Sequence, residues 1–144
     1  AADPRAERFF LALADVVVDA LAAETPLLLP TSDDPLVSSA MRYTRDHLAT
    51  ITIEEVSRHV AVSERTLRRM FTGAVGLSWR EYLTSARMLR AMTLLATRGQ
   101  SVSSTAAAVG FDSQGSFTRA FTQFSGETPS SYRSRVRQND EPDH

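Results

Sequence analysis

SERTLRRMFTGAVGLSWREY, from Ser63 to Tyr82, and SQGSFTRAFTQFSGETPSSY, from Ser113 to Tyr132, are two versions of one segment, aligned without a gap at an offset of 50 residues. Ser63 pairs with Ser113, Leu67 with Phe117, Arg69 with Arg119, Phe71 with Phe121, Gly76 with Gly126 and Tyr82 with Tyr132. Each copy reads as a helix, over about 63–74 and 113–124. The serines are N-caps whose hydroxyls accept from an orphan backbone N–H, and the glycines supply the left-handed residue that ends a helix. Leu67 with Phe71, and Phe117 with Phe121, stand four apart and so share a buried face. The arginine between each pair, Arg69 or Arg119, points away from that face.

Upstream of each copy lies a shorter helical pattern, separated from it by a tight turn. TIEEVSRHV opens with a capping box, Thr52 with Glu55, and turns Ile53, Val56 and Val60 inward. VSSTAAAVG places Val102, Ala106 and Val109 inward and closes at Gly110, and its run Ala106 to Ala108 is expected to let the next helix cross closely. Two helix-turn-helix units follow, at about 52–75 and 102–125. Between them SWREYLTSARMLRAMTLLAT reads as one continuous helix over 78–97, opened by Ser78 and Glu81 as a second capping box. Trp79, Leu83, Met88, Met92 and Leu95 recur on it at helical spacing. Twenty residues of helix span about 30 Å, near the roughly 34 Å between successive major grooves on one face of B-DNA, so both units are expected to be able to dock at once.

Asp34–Pro35 starts a helix with Leu36, Val37, Ala40, Met41 and Leu48 inward, and Thr128–Pro129 starts a short last helix. Residues 5–23 read as a separate amphipathic helix whose apolar stripe needs a mate. The proline-rich stretch TPLLLPTSDDP then reads as a linker. The expected organisation is 1–34 as the end of an upstream sensor or dimerisation domain with its linker, 35–138 as the tandem module, and 139–144 as a polar tail.

The net charge of −1 hides an uneven distribution. Residues 1–40 hold two Arg against seven acids, residues 41–138 fourteen Arg against seven acids, and residues 139–144 three acids, so a basic module lies between acidic ends. No run of Val, Ile or Leu exceeds three residues, which excludes a hydrophobic span. The chain has no cysteine, which removes disulfides and thiolate metal sites. His47 and His59 lack partners at ligand spacing and are read as structural. There is no nucleophile elbow, phosphate-cradling glycine loop or metal motif, so no enzyme activity, cofactor or metal is expected. Without a leader the chain is expected to be cytoplasmic, and its start at Ala rather than Met reads as the inside of a longer protein.

VGFDSQGSFTRAFTQFSGETPSSYR, from Val109 to Arg133, carries Gly-Phe, Ser, Phe-x-Arg-x-Phe, Gly, Pro and Tyr-Arg in an order that resembles the DNA-binding region of AraC/XylS-type bacterial transcription regulators. LRRMF and GLSWREYL, followed by Arg87 to Ala91, resemble the first unit of the same family, and the likeness covers about residues 36–137. It implies an all-α fold of seven helices whose third and sixth helices enter adjacent major grooves of double-stranded DNA. By position it implies base-facing Arg65, Arg68, Arg69, Gln114, Thr118 and Arg119, a set suited to bidentate pairing of Arg with guanine and Gln with adenine. Phosphate contacts are expected from Ser63, Arg80, Ser113, Thr128 and Arg133. RNA polymerase is an expected partner of an activator, a homodimer is expected through the N-terminal helix or the upstream domain, and an effector would bind upstream. Three positions depart from the family pattern: Gly115 replaces a polar side chain, Thr105 an aliphatic one, and Ala61 a glycine. The alternative reading is a helix-turn-helix protein-interaction module without direct DNA readout.

Overall fold

The structure, a computed structural model, describes residues 29–140. The expected helix at 5–23 and residues 141–144 of the tail lie outside the described residues. Seven helices and no strand are present among the described residues: α1 Pro35–Asp46, α2 Ile53–His59, α3 Glu64–Val75, α4 Trp79–Ala96, α5 Val102–Ala108, α6 Gln114–Ser125 and α7 Pro129–Asn139. None of these helices is long and apolar enough to cross a membrane.

Each helix begins at a side chain that gives an otherwise unpaired N–H an acceptor. Asp34 accepts from Val37, Thr52 from Glu55, Ser63 from Thr66, Ser101 from Ser104, Ser113 from Ser116 and Thr128 from Ser131. The Ser78 hydroxyl accepts from the Glu81 N–H at 3.1 Å while the Glu81 carboxylate accepts from the Ser78 N–H at 3.2 Å, completing the expected box. Removing such a cap costs about 1 kcal/mol. The box expected at Thr52 is only half made, because the Glu55 carboxylate takes the Thr52 hydroxyl instead of the Thr52 N–H. A full box forms instead between Ser101 and Ser104, two hydroxyls doing what Thr and Glu were expected to do. The last helix is not short: the pattern opened by Pro129 runs 11 residues. Leu48 lies beyond the end of α1.

The described residues form two compact units, 29–47 with 51–84 and 48–50 with 85–140, the boundary on α4 falling between Thr84 and Ser85. In the first unit Val37, Met41, Val56, Leu67 and Phe71 are buried together with Tyr82, whose ring meets Phe71 edge-on at 5.4 Å. Thr44 is fully buried, yet its hydroxyl is satisfied twice, donating to the Ala40 carbonyl at 2.7 Å and accepting from the Trp79 indole N–H at 2.9 Å. An unpaired indole N–H in that core would cost about 1–3 kcal/mol. The Tyr82 hydroxyl accepts from Arg45 at 3.0 Å. Burial raises the Tyr82 phenol above its ordinary pKa, and Arg45 works against that shift.

The core of the second unit contains Met88, Ala91, Leu95, Ala106, Val109, Phe117 and Phe121. Phe111, Phe117, Phe121 and Tyr132 form a row of rings with successive centroids 5.5, 5.7 and 5.6 Å apart. Aromatic pairs of this kind, two edge-on and the middle one tilted, add about 0.5–1.5 kcal/mol each beyond their burial. Of the three alanines expected to admit a close crossing, Ala106 is buried while Ala107 and Ala108 are exposed. Thr105 occupies its aliphatic-type position fully buried, its hydroxyl donating to the Ser101 carbonyl at 2.8 Å.

Candidate nucleic-acid interface

Each unit builds a helix-turn-helix by the same backbone route. After α2 the Ala61 N–H donates to the Arg58 carbonyl and the Val62 N–H to the Ser57 carbonyl; after α5 the Gly110 N–H donates to Ala107 and the Phe111 N–H to Ala106. These bonds repeat at an offset of 49 residues, one less than the offset of the second helices, and the extra residue of the second turn is Asp112. The residue that reverses the chain is left-handed in both turns, Ala61 at φ 59° and Gly110 at φ 92°. The second helices, α3 and α6, then start at Ser63 and Ser113 and end on left-handed Gly76 and Gly126. Leu67 and Phe71 on α3, and Phe117 and Phe121 on α6, are all fully buried, as their spacing predicted. Their burial fixes which face of each helix looks outward.

On that outward face of α3 stand Arg65, Arg68 and Arg69, all exposed. Arg68 lies 4.0 Å from the Glu64 carboxylate, a solvent-exposed i,i+4 pair of small strength. The guanidinium groups of Arg65 and Arg69 engage no hydrogen bond or ion pair among the described residues, nor do those of Arg80 near the start of α4 and Arg119 on α6. On α6 Gln114 and Arg119 are exposed and Thr118 is half-buried. The expected phosphate-contacting hydroxyls Ser63, Ser113 and Thr128 are exposed helix caps. Ser63 and Thr66 share a 3.0 Å hydroxyl pair, as do Ser113 and Ser116, so each pair retains one O–H to offer outward beside the free N–H groups of the first turn.

Arg133 also has a partner within the protein that the expectation did not include. It is half-buried, and its Nε donates to the Gln100 carbonyl at 2.9 Å, where Arg137 Nη2 also donates at 3.0 Å; Arg137 reaches the Thr97 carbonyl as well. These two arginines tie the loop between α4 and α5 to α7 through the Thr97 and Gln100 carbonyls. Sequence spacing could not reveal this, because the partners lie 33 to 40 positions away. Arg87 is a further inward arginine. Its Nε donates to the Leu48 carbonyl at 3.0 Å, its guanidinium sits 6.0 Å from the Phe111 ring centroid, and burial lowers its pKa from the ordinary value. His47 and His59 both pack on the Tyr43 ring, with centroids 4.2 and 4.1 Å from it. Thr72 on α3 and Gln123 on α6, which the sequence reading did not name, are exposed one turn beyond the arginines.

Comparison with known proteins agrees with this architecture. A protein-family model described as a helix-turn-helix domain matches residues 56–135. The arabinose operon regulatory protein of Escherichia coli K12 is 36% identical over 105 residues, covering 69% of this chain and 35% of that protein. The chain thus spans about a third of the length of such relatives. Among solved structures, the C-terminal domain of AraT, a response regulator from Geobacillus stearothermophilus, is similar with a TM-score of 0.71 and 32% identity, covering 77% of this chain and 93% of that one. The DNA-binding domain of AdpA, solved with a target DNA, is similar with a TM-score of 0.68 and 28% identity over 75% of this chain and 97% of that one. With a family match over more than half its length, a duplicated helix-turn-helix and this likeness to solved domains, the chain belongs to the AraC-type helix-turn-helix family.

Proposed function

We propose that this chain is the sequence-specific DNA-binding part of a transcription regulator, with α3 and α6 reading adjacent major grooves of double-stranded DNA. The observation that carries the reading is the pair of equivalent arginines, Arg69 and Arg119, exposed on the second helix of each unit and engaged with nothing among the described residues. A guanidinium so placed offers a planar fork to guanine O6 and N7. Arg65, Arg68, Gln114 and Thr118 complete the base-facing set, while Ser63, Arg80, Ser113 and Thr128 supply phosphate contacts. The AdpA domain solved with DNA supports direct contact as the mode. The 18 residues of α4 span about 27 Å, of the order of the groove repeat. In the full-length regulator an effector would bind upstream of this module, residues 1–34 would join it to that region and could support a homodimer, and RNA polymerase would be the partner of an activator. Catalysis has no part in this reading, and the bacterial cytoplasm, where the duplex is found, is its location.

Enrichment of bound sites from a random duplex pool tests it. Two blocks of preferred bases about one helical turn apart are expected, with affinity falling at least tenfold between low and physiological salt. Arg69→Ala and Arg119→Ala are each expected to cost about 1–3 kcal/mol in specific binding. A pool that yields no enriched site, or affinity indifferent to salt, would favour a helix-turn-helix that binds protein.

A further inference from the structure

The two second helices are built alike, but they do not present the same chemistry. On α3 the outward stripe at spacings of three and four is Arg65, Arg68, Arg69, Thr72 and Gly73; at the equivalent positions α6 carries Gly115, Thr118, Arg119, Thr122 and Gln123. The first helix concentrates three guanidinium groups in its first half and ends in one hydroxyl, Thr72, beside the bare Gly73. The second begins bare, keeps one guanidinium in the middle and ends in a carboxamide. Thr118 and Thr122 are half-buried, and the Thr122 hydroxyl is turned to the Thr118 carbonyl at 2.7 Å, which removes it as an outward donor.

We infer that this chain recognises an asymmetric site, with a guanine-specified half under α3 and, under α6, a position facing Gly115 that is left unread. This rests on the DNA-binding reading above and assigns specificity within it. A single hydrogen in place of a side chain leaves nothing to reach a base edge, and a Cβ built on Gly115 meets nothing within 4 Å. The gap is therefore room for a side chain, not a close fit of backbone against protein. Reading under α6 falls instead to Arg119, flanked by the carboxamides Gln114 and Gln123. A carboxamide pairs with the N6 and N7 edge of adenine, so the second half of the site favours adenine at the positions flanking the one read by Arg119.

The test is site selection from a random duplex pool by the 144-residue chain and by two variants, Gly115→Arg and Arg65→Gly. The parent chain is expected to yield one guanine-bearing block of several strongly specified positions, and a second block with an indifferent position one turn of α6 from the base read by Arg119. Gly115→Arg is expected to convert that indifferent position to a guanine preference of roughly tenfold, and Arg65→Gly to erase one specified guanine from the first block. Equal information in both blocks of the parent, or an unchanged preference in a Gly115→Arg variant that still binds, would overturn the inference while leaving the DNA-binding reading intact. If Gly115→Arg does not fold, as judged by its helical circular dichroism, the parent profile together with Arg65→Gly decides the matter. Failure of the parent to enrich any site would remove both.

Discussion

In the first unit the chain leaves α2 through Ala61 at φ 59°, and in the second it leaves α5 through Gly110 at φ 92°. The backbone bonds around the two turns are the same, yet the surroundings differ. Ala61 is exposed, so its methyl group costs only the local strain of a left-handed residue, about 1–2 kcal/mol. Gly110 is pressed against other backbone: a Cβ there would lie 2.8 Å from the Ala49 carbonyl oxygen, 2.9 Å from that of Leu48 and 2.9 Å from Arg87 Nη2. A turn's own dihedral angle thus makes glycine preferable, while what packs over the turn makes it obligatory. The two buried threonines teach the same lesson. Thr44 serves another residue's N–H, whereas Thr105 serves only a carbonyl of its own helix that also accepts from the Thr105 N–H.

Substitutions that exchange the features of the two units probe this contrast. The largest effect is expected from Gly110→Ala, which adds a backbone clash to a strained angle and should destabilise the second unit by about 3 kcal/mol or more. Denaturant unfolding followed by residue-resolved hydrogen exchange would read it, and a loss no larger than about 1 kcal/mol would show that the Leu48 and Ala49 carbonyls yield freely. Next comes the threonine pair. Thr44→Val strips the Trp79 indole of its acceptor and should cost about 1–3 kcal/mol, whereas Thr105→Val, leaving no group unpaired, should be neutral or stabilising. Equal losses in thermal unfolding would break the distinction. Ala61→Gly relieves the left-handed strain of the first turn and should raise stability by about 1 kcal/mol; a decrease would mean that the loss of unfolded-state restriction outweighs the relief. The smallest gain, about 0.5–1 kcal/mol, is expected from Gly73→Ala, which restores helix propensity at an exposed α3 position with open space around its Cβ. No change in the melting temperature would place that turn of α3 outside the cooperative unfolding unit.

Much of this fold was legible because helices announce themselves over three or four residues. Ser63, Ser113 and Thr128 cap where they were expected to, Gly76 and Gly126 end α3 and α6, and the Leu67–Phe71 and Phe117–Phe121 pairs are buried. The repeat then doubled the evidence, and burial of one face left Arg65, Arg69 and Arg119 outward without further information. The Thr52 box was misread in detail because a carboxylate so near a hydroxyl has two donors to choose from. Arg133 was read only as a phosphate contact implied by the family motif, and nothing within four residues of it hints at the Gln100 carbonyl.

The amino-acid order alone therefore determined the helices, their caps, the duplication and the side of each second helix that faces out, since all of these depend on neighbours within one or two turns. Which arginines remain available, which threonine is indispensable and which turn must be glycine were decided only when distant segments met. A guanidinium is chemically identical whether it ends on a backbone carbonyl or on nucleic acid, and a carbonyl 33 residues away, as Gln100 is from Arg133, acquires its meaning only through packing.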